Sequence, residues 1–264
     1  MNDDKPPVQT TVDGDVAGRK CLSRVEAARE LKPEVPSTLT AKLRPYQAEG
    51  FAWLTRLAAW GAGGVLADDM GLGKTLQALA VLTDRAALGP ALVVTPTSVA
   101  FNWRDEAQRF APELRVRLYA EERDRQKYVS KAQKSRRVSN EAGDVIVISY
   151  GMLTRDAKKL AQTRFATVVF DEAQQLKNPT TQRFTAAKSL KADFRFALSG
   201  TPLENHLGEL WALFALVFPP LLGSWDTFRS RFALPIEKRL DPAAAPELAE
   251  LLRPFLLRRT KSEV

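Results

Sequence analysis

Asp68-Asp69-Met70-Gly71-Leu72-Gly73-Lys74-Thr75 follows the apolar run Gly63-Gly64-Val65-Leu66-Ala67 and precedes an amphipathic stretch that begins Leu76-Gln77-Ala78-Leu79. The order reads as strand, glycine turn, helix. Such a turn strings backbone N–H groups around a concavity at a helix N-terminus, where unpaired amides and the helix dipole favour polyanions. Lys74 adds a point charge for terminal phosphates, and Thr75 offers a hydroxyl to Mg²⁺. Asp68 stands where the general phosphate-loop pattern has its first glycine, so Gly71 and Gly73 must supply the backbone freedom. A glycine turn ahead of an ordinary core helix would carry a similar string, and the remainder of the chain decides between the two.

The 264 residues are 45% hydrophobic, enough for a large core in one domain or two. A net charge of +8 points to a polyanionic partner, with nucleic acid the leading class. Cys21 is the only cysteine and His206 the only histidine, which excludes an intramolecular disulfide and a His or Cys metal cluster, and suits a reducing compartment. The first residues are charged and lack an apolar signal core, so a cytoplasmic location is expected. The longest apolar run, Leu210 to Gly223, is too short for a bilayer and is broken by Pro219-Pro220.

Residues 1–40, with Pro6, Pro7, Pro33 and Pro36 around one candidate helix from Ser23 to Leu31, read as a tail or linker. A helix opening at Pro45 starts the folded part, expected over 41–205. Buried strands are expected at Gly63–Ala67, Ala91–Thr95, Asp144–Ser149, Thr167–Phe170 and Phe194–Leu198, separated by helices at Thr75–Ala87, Ser98–Phe110, Gly151–Gln162 and Thr180–Leu190. This alternation implies parallel strands joined by right-handed crossovers, hence a doubly wound α/β sheet with ligands at the strands' carboxyl ends. Beyond Leu203 only helices are expected, at Leu207–Phe218, Ser224–Phe232 and Pro246–Leu257, forming a helical extension over 206–264 with no further strand.

The strand ending at Phe170 runs directly into Asp171-Glu172-Ala173-Gln174. An acidic pair beside a phosphate loop suits ATP hydrolysis: Asp171 would hold Mg²⁺ through water and Glu172 would take a proton from the attacking water. The strand ending at Leu198 runs into Ser199-Gly200-Thr201-Pro202, whose hydroxyls can bond the acidic loop and relay nucleotide state. The Arg- and Lys-rich stretch Arg123–Arg137 reads as a solvated face or a DNA-contacting patch. The aromatic positions Trp211, Phe214 and Phe218 read as core and not as a base-stacking surface.

Taken in order, the blocks Leu43-Arg44-Pro45-Tyr46-Gln47, Asp68 to Gln77, Pro96-Thr97-Ser98 with Asn102-Trp103, Asp171-Glu172-Ala173-Gln174, Leu198 to Asn205 and Pro254 to Lys261 resemble the first, RecA-like lobe of superfamily-two helicases. Specifically they resemble the Swi/Snf-type DNA translocases, in a bacterial or archaeal branch. The resemblance implies that Arg44, Tyr46 and Gln47 read adenine. It implies that Asp69, Met70, Gly71, Leu72, Gly73, Lys74, Thr75 and Leu76 hold the phosphates of ATP with Mg²⁺. It further implies that Gln174, Ser199 and Thr201 couple hydrolysis to movement, and that Pro96, Thr97, Ser98, Ser149 and Tyr150 touch the backbone of duplex DNA without reading sequence. An unidentified protein substrate, no membrane, a monomer and a nucleoid-associated location complete the expectation.

Two departures qualify it. The commoner acidic box ends in histidine where this chain has Gln174. Nothing after Lys261 resembles the second lobe, whose arginines are worth roughly three to five orders of magnitude in related nucleotide hydrolases. The chain is therefore expected to be part of a longer enzyme and nearly inactive alone. A nucleotide-gated binding module with negligible hydrolysis and an RNA helicase lobe are the alternative readings.

Overall fold

In a computed structural model the described residues are 16–121, 141–200 and 207–264. The expected basic stretch Arg123–Arg137, Thr201 and His206 lie outside them. Seven strands form one sheet, all parallel, in the order β3-β4-β2-β5-β6-β1-β7. They are β1 Gly64–Leu66, β2 Ala91–Thr95, β3 Arg115–Leu118, β4 Asp144–Ser149, β5 Arg164–Phe170, β6 Lys191–Leu198 and β7 Leu256–Leu257. The central strands are apolar on both faces because helices cover both, and β2 is buried throughout.

The sheet order brings distant loops together. Strand β6 lies between β1 and β5, so the loops that leave these strands at their carboxyl ends are neighbours. Strand β2 pairs with β4 in a register that sets Thr95 beside Ser149. Its register with β5 aligns Val94 with Phe170, and Thr95 therefore stands next to Asp171.

Several expectations need correction. Strand β3 went unseen because Arg115-Val116-Arg117-Leu118 is short and half charged, as suits an edge strand. The final strand β7 contradicts the expectation of helices only after Leu203. The helix expected to reach Leu257 spans Ala244–Leu252, because Pro254 has no N–H with which to continue the helical bonding. The chain released there pairs with β1. The helix expected over Ser224–Phe232 runs from Trp225 to Glu237 without a break in helical backbone, its middle widened into a π-turn at Arg229–Ala233. The one expected over Gly151–Gln162 divides at Asp156 into Tyr150–Arg155 and Ala157–Leu160.

The segment read as tail is helical from Val16 to Glu30 and lies against helix Pro45–Trp60. Arg56 Nε donates to the Leu31 carbonyl at 3.0 Å, and Leu39 belongs to the main hydrophobic cluster. Helix Leu207–Val217 packs on β6 and β1, with Trp211 and Phe214 buried as expected of core positions. Phe218 meets the rings of Phe255 and Trp60 at 5.2 and 6.3 Å. Burying each such ring contributes about 1.5–3 kcal/mol.

Candidate nucleotide site

The turn after β1 takes the shape its glycines permit. Gly71 and Gly73 have φ of 90° and 73°, in the left-handed region, and helix Lys74–Asp84 begins directly after Gly73. A Cβ on Gly73 would lie 2.5 Å from Gln47 Nε2, so the position needs glycine for space as well. Lys74, at the first helical turn, donates from Nζ to the carbonyls of Asp68 and Asp69 at 2.6 and 3.1 Å. The loop thus holds its own lysine across its mouth. Burial lowers the Lys74 ammonium from the ordinary lysine value, against the opposing pull of the Asp68, Glu172, Asp171 and Asp69 carboxylates.

Gln47 presents both ends of its amide to the protein. Its Nε2 donates to the Leu72 carbonyl at 3.2 Å and its Oε1 accepts from the Arg44 N–H at 3.0 Å. Tyr46 Oη donates to the same Leu72 carbonyl at 3.2 Å. The residues expected to read adenine therefore brace the phosphate loop in this structure. Met70 is exposed and lies close to Gly200, whereas Leu72 points inward.

Asp171 and Glu172 close β5 with unlike surroundings. Asp171 is buried, and its Oδ2 accepts from Thr95 Oγ1 and Trp103 Nε1, both at 2.8 Å. Its Oδ1 accepts from the Glu172 N–H at 3.0 Å. Burial lifts the Asp171 carboxyl above the ordinary aspartate value, with the bonds from Trp103 and Thr95 pulling it back and the Glu172 charge adding to the rise. Glu172 has φ of 48°, a strained backbone for a side chain of its size, which points its carboxylate differently from its neighbour's. Gln174 Nε2 donates to Glu172 Oε2 at 2.6 Å, and Ser199 Oγ donates to Gln174 Oε1 at 3.4 Å. The glutamine in the place of histidine thus joins the acidic loop to the end of β6.

The structure also places the expected DNA-facing residues. Pro96, Thr97 and Ser98 lie at the carboxyl end of β2, and Thr97 and Ser98 are exposed. Ser149 caps the next helix by accepting from the Met152 N–H at 3.3 Å. Tyr150 is buried, and its hydroxyl donates to the Asp171 carbonyl at 2.6 Å, so its side chain supports the acidic loop from within. Burial and the Asp171 charge push its phenol well above the ordinary value.

Thr95, Trp103, Asp68 and Arg259 are site residues that motif reading left without a role. Asp68 is fully buried and bonded by the Arg259 guanidinium, Nε to Oδ1 at 3.0 Å and Nη2 to Oδ2. Thr95 meets Asp171 only through the β2–β5 register, and Arg259 meets Asp68 across 191 residues of separation, so neither contact is visible in the motifs.

The residues present fit a magnesium nucleotide. Three donors occupy the Asp171 carboxylate, which has about four lone-pair positions, leaving one acceptor position unused by these bonds. Among the described residues no group of three or more His, Cys, Asp and Glu side chains could cage a metal. Mg²⁺ is commonly held by one or two carboxylates together with substrate phosphates. Lys74 stands among four carboxylates, a balance that a divalent cation would restore.

A parallel sheet whose phosphate loop and acidic loop leave β1 and β5 on either side of β6 is the RecA-like α/β arrangement. Within that class the chain belongs to the SNF2-related domain family, which matches residues 46–264. It is 41% identical over 252 residues to the putative ATP-dependent helicase/translocase YwqA of Bacillus subtilis, covering 93% of this chain and 26% of that protein. It is 36% identical over 248 residues to the chromatin-remodeling ATPase INO80 of Saccharomyces cerevisiae, covering 89% of this chain and 17% of that protein. Among solved structures, the SWI2/SNF2 ATPase core of Sulfolobus solfataricus in complex with dsDNA superposes with a TM-score of 0.78 at 42% identity, covering 88% of this chain and 47% of that one. The chain therefore spans about a quarter or less of these curated relatives, and about half of the solved core.

Proposed function

We propose that this chain is the ATP-binding lobe of a DNA-dependent ATPase that moves along duplex DNA and remodels protein–DNA complexes. In this reading residues 41–205 carry the nucleotide chemistry and 206–264 lead toward a second lobe. The observation that carries it is the convergence of Lys74, Asp171, Glu172 and the Gln174–Ser199 link at adjacent strand ends.

Lys74 would exchange the loop carbonyls for terminal phosphate oxygens, while the amides around Gly71 and Gly73 bind the remainder of the chain of phosphates. Thr75 and Asp171 would hold Mg²⁺, which when bound offsets charge on the phosphates. Glu172 would accept a proton from water, and Gln174 keeps its carboxylate oriented. Ser199 feels that orientation through Gln174, which suits a coupling role. Thr97 and Ser98 would bond DNA phosphates, positioning the lobe without reading bases. The relatives' names and the DNA-bound solved core support this assignment.

The test compares ATP turnover by the full-length protein with duplex DNA, single-stranded DNA and RNA. Stimulation by duplex DNA is expected, and preferential stimulation by RNA would favour an RNA helicase. Lys74→Ala should abolish nucleotide binding. Glu172→Gln should retain binding and lower turnover roughly 10²–10⁴-fold. Normal turnover by Glu172→Gln would refute its role as base. The lobe by itself is expected to show little DNA-stimulated turnover.

A further inference from the structure

The segment that follows helix Ala244–Leu252 does more than complete the sheet. Its carbonyls accept in alternation from β1 and the phosphate loop: Val65 N–H to Phe255 at 2.8 Å, Ala67 N–H to Leu257 at 2.7 Å and Asp69 N–H to Arg259 at 3.0 Å. One step on, the Lys261 N–H donates to Asp69 Oδ2 at 3.1 Å. The row continues past the strand and into the loop itself.

Arg259 fastens this row from the side. Beyond its fork on Asp68, its Nη2 donates to Gln77 Oε1 at 3.1 Å and its Nη1 to the Tyr46 carbonyl, with the guanidinium 5.3 Å from the Tyr46 ring centre. Gln77 Nε2 donates in turn to Asp68 Oδ2 at 3.3 Å. A Cβ on Gly50 would lie 1.9 Å from Gln77 Oε1 and 2.9 Å from Arg259 Nη2, so the fit depends on a glycine in the neighbouring helix. Helix Pro45–Trp60, the phosphate loop, helix Lys74–Asp84 and the C-terminal segment therefore meet on one guanidinium. The Asp68 whose carboxylate Arg259 grips is also the Asp68 whose carbonyl receives Lys74.

We propose that Arg259 is a positioning residue for the phosphate loop, acting through Asp68 to set the backbone on which Lys74 and the loop amides meet the nucleotide. This rests on the nucleotide reading above. A fork of charge-assisted bonds fixes direction as well as distance, which a lysine cannot reproduce.

The experiment measures binding of a fluorescent ADP with Mg²⁺ to the full chain and to Arg259→Met, Arg259→Lys and Leu160→Ala. Leu160 is buried beside the start of β5, at the opposite end of the sheet, so its truncation destabilises without touching the loop. Expected is a roughly tenfold or greater loss of affinity in Arg259→Met, a smaller loss in Arg259→Lys and wild-type affinity in Leu160→Ala. Wild-type affinity in Arg259→Met would overturn the proposal while leaving the nucleotide reading intact. Equal weakening in Leu160→Ala would reduce Arg259 to general stability and overturn it also. If Arg259→Met lacks a cooperative melt, Arg259→Lys decides by the same criterion. Failure of the wild-type chain to bind at all would refute the nucleotide reading and this proposal together.

Discussion

Asp68 and Asp171 both stand just past the carboxyl end of a parallel strand, and both are buried. Asp68 meets a guanidinium that occupies both its oxygens. Asp171 accepts from a hydroxyl, an indole N–H and a peptide N–H, and among the described residues no cation reaches it at salt-bridge distance, Lys74 acting on it only from farther off. Two similar positions thus differ in whether the protein neutralises the charge it buries. Where it does, the carboxylate is part of the framework. Where it does not, the carboxyl is buried at a cost that the proposed Mg²⁺ would offset.

The sharpest way to break this contrast is truncation at each position. Asp68→Ala strands Arg259, and loss of one partner of a buried pair costs about 3–5 kcal/mol, so a clearly lower thermal midpoint is expected. Asp171→Ala should cost much less stability yet remove the Mg²⁺ dependence of nucleotide affinity. Similar melting losses in the two variants would dissolve the distinction.

A smaller effect is expected from Trp103→Phe, which deletes one donor to Asp171 and keeps most of the ring's packing. A hydrogen bond to a charged group is worth about 1.5–3 kcal/mol, and its loss should fall mainly on Mg²⁺–nucleotide affinity. Because that bond holds the Asp171 carboxyl down, its removal should raise the carboxyl further.

The smallest effect is in pH. Asp171 takes up a proton at a higher pH than an ordinary aspartate, so the Mg²⁺-dependent part of nucleotide affinity should begin to fall before solvent-exposed carboxylates titrate. In Trp103→Phe the fall should begin at still higher pH. The stability sign is opposite: a carboxyl raised in the folded state contributes stability below its unfolded value and loses that contribution as pH rises through the folded value. Acid should therefore weaken binding without Asp171 itself destabilising the fold. A binding profile unchanged by Trp103→Phe would remove the indole from this role.

The parallel sheet and the site's main members are legible in the chain because buried strands such as Ala91–Thr95 are continuous apolar runs, and each chemical motif follows one directly. Glu172, Gln174 and Ser199 follow expected strand ends, and Lys74 opens the expected helix after the glycine turn. What stays hidden depends on register. Thr95 reaches Asp171 only through the pairing of β2 with β5, and Arg259 reaches Asp68 only through β7, two residues long and masked by an adjoining helical pattern. Tyr150 shows a further limit: a residue at a strand end can face inward and support the acidic loop from below.

The row of bonds from Val65, Ala67 and Asp69 to the C-terminal segment also has a mechanical meaning. The two segments run parallel, so tension along the one loads these bonds lengthwise and together, in shear, and does not peel them one by one. Force entering at Lys261 would reach the phosphate loop as a single displacement. The glycines that shape the loop, left-handed at Gly71 and Gly73, are then also the compliant joints at which such a displacement would be absorbed.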